Sequence, residues 1–288
     1  MAHVEKDALT GTDTTGHEWD GIKELNTPLP RWWIYTFYAT IVWSIGYWMV
    51  YPAWPTFSDY TKGMFGYSSR AEHAREMKDV KKSREVWSKE FEKKTVDEIA
   101  ADRKLMQYAM AGGKMIFGDN CAPCHGSGGS GAKGYPILAD NDWLWGGTRD
   151  AVYQTIRFGI RSEHKDARIS DMPKYLTDQI ISKEEADAVA DYVLTLSGSG
   201  GKATDAGKKV FADNCAACHG EDGKGMMELG GPSLADKIWL HVEPTKAGVM
   251  GQLTLPKQGV MPAWAGRLSD VEIKQVSLYV HSLGGGSK

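Results

Sequence analysis

Two short segments constrain this 288-residue chain more than any other feature: "GDNCAPCHGSG" at 118–128 and "ADNCAACHGED" at 212–222. All four cysteines, Cys121, Cys124, Cys215 and Cys218, lie in these segments, and His125 or His219 follows each pair directly. On a helical turn, positions i, i+3 and i+4 share one face, so both thiols and the imidazole of each segment project together. No cysteine is left over for a structural disulfide, so disulfide usage says nothing about the compartment.

Three chemistries could use such a triplet. A zinc site would pair the two segments, but they lie 94 residues apart in separate, complete repeats. A redox dithiol of the thioredoxin kind needs a βαβ setting, and no such alternation is present. The third is covalent attachment of c-type haem, of which Cys-x-x-Cys-His is the signature. Two thiols bond the vinyl groups while the imidazole coordinates the iron, and the haem supplies the core that a small glycine-rich domain lacks.

The repeat extends well beyond the motif. "GGKMIFGDNCAPCHG" (112–126) matches "AGKKVFADNCAACHG" (206–220), and "LADNDW" (138–143) matches "LADKIW" (234–239). "DMPKY" (171–175) answers "VMPAW" (260–264), and "SKEEADAVADYVLTLSG" (182–198) answers "SDVEIKQVSLYVHSLGG" (269–285). Ala186, Val189, Ala190, Val193 and Leu194 recur at helical intervals, as do Ile273, Val276, Tyr279 and Val280. Each copy therefore reads as helix, motif, glycine-rich loops, Met-Pro loop, helix. "SGSGGKA" at 197–203 is the linker between copies.

Each iron needs a further axial ligand. The candidates are Met172 and His164 in the first copy, and Met226, Met227, Met250, Met261 and His241 in the second. Met172 and Met261 occupy equivalent places, each followed by proline (Pro173, Pro262) and then the closing helix. They are the expected ligands. Such His/Met ligation fills both axial positions and raises the potential, which suits electron exchange rather than oxygen or peroxide binding. Arg157, His164 and His241 are candidate propionate contacts or ordinary surface residues.

Before the repeats lies a different kind of sequence. Residues 1–30 are polar and carry no cleavable signal. From Trp32 to Trp54 no residue is charged, and 23 helical residues extend about 34 Å. Trp32 and Trp33 crowd one end, and Tyr47, Trp48, Tyr51 and Trp54 the other, as at two membrane–water interfaces. Local basic residues tie between the ends, so charge alone does not orient the span. With 34 basic against 37 acidic residues, no basic footprint for nucleic acid appears. The expected fold is all-α: one N-terminal transmembrane helix followed by two tandem class I cytochrome c domains. The expected divisions are a leader at 1–30, a span at 31–55, a charged helical stalk at 56–104, and haem domains at 105–198 and 199–288.

The leader "TTGHEWDGIKELNTPLPRWWIYTFYATIVWS" running into the span, together with two haem motifs, closely resembles the dihaem CcoP/FixP subunit of cbb3-type cytochrome c oxidases. The resemblance covers essentially the whole chain. It implies an electron-entry subunit with no catalytic site of its own. Its donor would be a periplasmic, soluble or membrane-anchored cytochrome c, or a cytochrome bc complex. Its acceptors would be a monohaem cytochrome c subunit and then the haem-copper subunit of a proton-pumping oxidase. By residue, it implies one site from Cys121, Cys124, His125 and Met172, and another from Cys215, Cys218, His219 and Met261. It implies a bacterial inner-membrane protein, with the N-terminus cytoplasmic, the span in lipid and the haem domains periplasmic. A dihaem peroxidase would need an open iron, and two Met-Pro loops argue against that. A dihaem cytochrome serving a dehydrogenase or nitrogen-oxide reductase fits the motifs but not the leader.

Overall fold

The computed structural model describes residues 4–284 and divides into two units, Met1–Ser83 and Arg84–Lys288. In the first unit the leader is not featureless. Thr14–Trp19 (β1) and Ile22–Leu25 (β2) form an antiparallel hairpin, with Glu18 opposite Lys23. Asp20 and Gly21 both turn with positive φ (49° and 84°), the requirement of a tight two-residue hairpin loop. The all-α expectation thus has one exception, and the Asp-Gly dipeptide is its signal.

The expected span appears as a helix over Arg31–Val50 (α1). It begins just after Pro28 and Pro30, and none of its 20 residues is buried. No helix among the described residues is long and apolar enough to cross a membrane. The chain then folds back on the end of α1, where the Met64 amide donates to the Met49 carbonyl (3.0 Å). Gly63 is required in this turn: its φ is +73°, and a Cβ there would stand 2.2 Å from the Val50 carbonyl oxygen.

The charged helix Ser69–Lys93 (α2) is solvated over most of its length. Its last turns belong to the second unit, where Phe91 is fully buried and Trp87 stacks on Tyr108 at 5.3 Å. The stalk's end is therefore part of a core.

The remaining helices are Val96–Ala101 (α3), Arg103–Asn120 (α4), Ala122–His125 (α5), Arg149–Phe158 (α6), Lys183–Leu196 (α7), Asp205–Asn214 (α8), Ala216–His219 (α9), Lys246–Thr254 (α10) and Asp270–Leu283 (α11). Their starts are written into the sequence. Ser182 with Glu185, and Ser269 with Glu272, make the same capping box before α7 and α11. Asp102, Thr148, Thr204 and Thr245 accept backbone amide hydrogen bonds at four other starts.

The packing of these helices crosses the repeats. The opening helix of the first copy, α4, packs on the closing helix of the second, α11; the opening helix of the second, α8, packs on the closing helix of the first, α7. Glycines mark both crossings. A Cβ at Gly113 would stand 2.3 Å from the Gln275 carbonyl oxygen, and one at the equivalent Gly207 would stand 2.4 Å from that of Ala188. Beside them, Phe117 meets Tyr279 at 5.5 Å and Phe211 meets Tyr192 at 5.3 Å.

Two cores result. One gathers Phe117, Cys121, Val152, Tyr153 and Ile156 with Ile273, Val276 and Val280. The other gathers Val210, Phe211, Val249 and Leu253 with Val189, Ala190 and Val193. Because the obstructing atoms at the glycines are backbone, Gly113→Val or Gly207→Val should force the helices apart and cost at least about 1–3 kcal/mol. A thermal melt checks this, with the midpoint expected to fall by several degrees in either variant.

Candidate haem sites

The two motifs have nearly identical local geometry. α4 ends at Cys121, whose amide donates to the Phe117 carbonyl (2.9 Å), and the chain re-enters a single helical turn, α5. Cys215 does the same between α8 and α9, bonding to Phe211 at 2.8 Å. Gly126 and Gly220 stop those turns with φ of 76° and 79°. The Gly131 amide then donates to the His125 carbonyl, and that of Gly225 to the His219 carbonyl, each at 2.7 Å.

The imidazoles are oriented by a contact that sequence reasoning did not identify. His125 Nδ1 lies 3.1 Å from the Pro136 carbonyl oxygen, and His219 Nδ1 lies 2.8 Å from that of Pro232. A carbonyl only accepts, so Nδ1 carries the proton and Nε2 is left as the basic nitrogen for a metal. Pro136 and Pro232 stand in matching blocks, "PILAD" and "PSLAD", which was the available signal.

Burial lowers the pKa of both histidines, partly offset by these carbonyl bonds. The neutral ring is thus favoured in the folded state. Stability from this source is present above the ordinary histidine value of 6.5 and declines as pH falls below it. In the haem-free chain the thermal midpoint should therefore hold from pH 8 down to about 6.5 and fall at lower pH, and a midpoint that rose below pH 6.5 would contradict it.

The thiols are unpaired with each other. Cys121 is buried and Cys124 exposed; Cys215 is half-buried and Cys218 exposed. Burial pushes Cys121 and Cys215 up to about 11, with smaller contributions from Cys124 and Cys218 respectively. Such thiols are poor redox nucleophiles. A further fit to haem lies in Trp143, which packs against the first core with its indole Nε1 buried and without a partner. That donor suits a carboxylate at the edge of a bound macrocycle.

The Met-Pro loops do not sit where the tandem reading put them. Met261 packs against the core that contains Cys121, and it forms an antiparallel bridge with Ile160, with amide-to-carbonyl distances of 2.9 and 3.0 Å. Gly159 (φ +75°) permits the approach, since a Cβ there would lie 2.4 Å from the Met261 carbonyl oxygen. Met172 packs with Cys215 against the second core, its amide bonded to Gln258 Oε1 (3.0 Å). Nearby, Tyr175 donates to the Asn214 carbonyl (2.6 Å). The expected grouping of Cys121, Cys124 and His125 with Met172, and of Cys215, Cys218 and His219 with Met261, joins residues of one copy, whereas Met261 lies on the core of the first motif and Met172 on that of the second. Each motif meets the Met-Pro loop of the other copy, because each closing helix has crossed to the other opening helix.

The other candidates are engaged elsewhere or lie in the cores and turns as follows. Arg157 donates to the Tyr153 hydroxyl (2.5 Å) and lies 3.6 Å from Asp270, so it ties α6 to α11. His164 Nδ1 accepts the Asp166 amide within its own turn. Met250 is filler in the second core and Met227 is exposed. Met226 pairs with Gly231 in a turn.

Comparison with known proteins places each of the two motifs inside a cytochrome c region. Residues 11–58 match the family described as the N-terminal domain of cytochrome oxidase-cbb3, FixP. Residues 110–197 match cytochrome c, and 202–280 match cytochrome c oxidase, cbb3-type, subunit III. The chain is 52% identical over 287 residues to the cbb3-type cytochrome c oxidase subunit FixP of Bradyrhizobium diazoefficiens, covering 99% of each. It is 50% identical over 290 residues to subunit FixPc of Rhizobium leguminosarum bv. viciae, covering all of both. It is 46% identical over 295 residues to subunit CcoP of Azospirillum brasilense, covering 99% of this chain and 100% of that one.

The chain belongs to the family of dihaem electron-transfer subunits of cbb3-type cytochrome c oxidases. In this family member the two Cys-x-x-Cys-His turns hold two covalently bound c-type haems. The crossed packing predicts which methionine serves which haem. In a variant carrying only the second haem (Cys121→Ala with Cys124→Ala), Met172→Leu should convert the remaining haem from low-spin to high-spin. Met261→Leu should leave that spectrum intact, and the reverse result would restore the tandem pairing.

Proposed function

We propose that this chain is the electron-entry subunit of a cbb3-type oxidase. It takes single electrons from a cytochrome c or a cytochrome bc complex and passes them toward a monohaem subunit and the haem-copper subunit. The observation that carries this reading is the doubled site. Two histidines, each oriented by a proline carbonyl, and two methionine loops packed on the cores that hold Cys121 and Cys215 lie within one folded unit. When bound, each haem supplies a reversible one-electron change at iron. The residues that would hold the iron are His125 and Met261 at one site and His219 and Met172 at the other. Open coordination for oxygen or peroxide is thereby removed.

In this reading α1 and the residues that follow it are a single-pass anchor in a bacterial inner membrane. The leader is cytoplasmic and the haem repeats are periplasmic, where haem is attached to such motifs. Support comes from a helix with no buried face and no charge after Arg31. Trp and Tyr depress its mean hydropathy, yet these are the residues that favour the headgroup interface.

The relay is tested on native membranes. Protein captured gently in detergent and fed reduced cytochrome c should take up oxygen, and cyanide should abolish the uptake. Two reducible haems without oxygen uptake would remove the protein from a terminal oxidase. For the anchor, deleting 31–50 should move the haem protein from the alkali-washed membrane pellet to the soluble fraction.

A further inference from the structure

The end of α1 gathers tyrosines that the haem chemistry does not use. Tyr47 stacks on Tyr51 with ring centroids 4.7 Å apart, and Tyr67 meets Tyr51 edge-on at 5.5 Å. Together with Tyr60 and Pro52 these rings line a cleft of about 210 Å³. No residue lining it is charged.

Backbone hydrogen bonds set the rings around this cleft. Pro52 ends α1 by holding Tyr51 extended (φ −111°, ψ 160°). The chain then turns tightly, the Thr56 amide donating to the Asp59 carbonyl (2.6 Å) and the Thr61 amide to the Trp54 carbonyl (2.9 Å). Thr61 Oγ1 accepts the Trp54 amide in return (3.1 Å). Tyr60 is thereby placed beside the end of α1. The return at Gly63 and Met64, described above, brings Tyr67 back onto Tyr51.

The face of a tyrosine ring carries negative potential and attracts a cation. One such contact is already present. Lys62 Nζ stands over the Tyr60 ring, 4.3 Å from its centroid. Lys62 does not line the cleft, and it pairs with Asp59 at 2.6 Å. Tyr51 and Tyr67, at 76° to each other, supply further ring surface inside the cleft.

Position along the chain identifies the cation. The 20 residues of α1 carry no charge after Arg31, and at 1.5 Å each they extend about 30 Å, the thickness of a hydrocarbon core. A cleft at the end of α1 then lies at headgroup depth. Trp48 and Trp54, in edge contact at 4.9 Å, belong to the same level. The cations of a bilayer at that depth are the ammonium groups of zwitterionic phospholipids.

We propose that this cleft binds the ammonium headgroup of a phospholipid, ethanolamine or choline, and so seats one lipid where the chain leaves α1. This rests on the anchor reading above. The seat fixes the depth of the anchor at the start of the charged helix α2.

The test uses the full haem-loaded chain in a non-ionic detergent, with equal amounts of phosphatidylethanolamine and phosphatidylglycerol added. Native mass spectrometry counts the lipids retained. Phosphatidylethanolamine should fill one site with roughly two- to fivefold preference over phosphatidylglycerol. Tyr60→Leu and Tyr67→Leu keep an apolar side chain but remove the ring face, and each should abolish the preference. Tyr60→Phe and Tyr67→Phe should retain most of it. Equal retention of the two lipids, a preference for phosphatidylglycerol, or an unchanged preference in both leucine variants would overturn the headgroup site. So would a chain that retains no lipid yet stays in the alkali-washed membrane pellet. A chain that leaves the pellet would overturn the anchor reading, and the headgroup site with it.

Discussion

Everything in the haem-bearing unit depends on two helix crossings made at glycine. Gly113 lets α4 settle against Gln275 and Tyr279, and Gly207 lets α8 settle against Ala188 and Tyr192. Contacts this close fix where each motif begins, since the cysteines follow about two and three helical turns later. They also fix which Met-Pro loop arrives opposite. The loops precede α7 and α11 directly, so a closing helix that crosses to the other copy brings its methionine with it.

The crossed arrangement has a thermodynamic consequence. A tandem pair of independent domains could lose one member and keep the other. Here each core takes one half from each copy, so a change in either half should disturb both cores. The stalk joins the same network. Lys274, on the closing helix of the second copy, donates to the Phe91 carbonyl (2.7 Å) and the Lys94 carbonyl (3.0 Å), while pairing with Asp270 (3.0 Å). A lysine that is buried but fully bonded in this way costs little desolvation relative to one left unpaired. Tyr153 also donates to Asp270, and burial, followed by that carboxylate, pushes its hydroxyl up to about 12. The junction of α2, α6 and α11 is therefore a polar clasp as well as an apolar core.

Much of this was legible in the residues alone. The Cys-x-x-Cys-His turns, the capping boxes at Ser182 and Ser269, and the matched Met172 and Met261 are local patterns, and local patterns survive any change in topology. The pairing of the halves was not legible. A repeat displaced by about 90 residues has identical internal chemistry whether its closing helix folds back on itself or onto its neighbour, because Gly113, Gly207, Tyr192 and Tyr279 suit both partners equally. The hairpin at Thr14–Leu25 was missed for the opposite reason. Its Asp-Gly turn is a strong signal, but the strands are short and mostly exposed, so no alternation stands out. Trp143 gains meaning only when burial shows its donor without an acceptor.

The most direct test of the crossed architecture is a high-resolution structure of the haem-loaded protein, read at the two iron atoms. The account predicts the Met261 sulfur on the iron of the haem bonded to Cys121 and Cys124, and the Met172 sulfur on the iron of the haem bonded to Cys215 and Cys218. Met172 found on the first iron and Met261 on the second would contradict it.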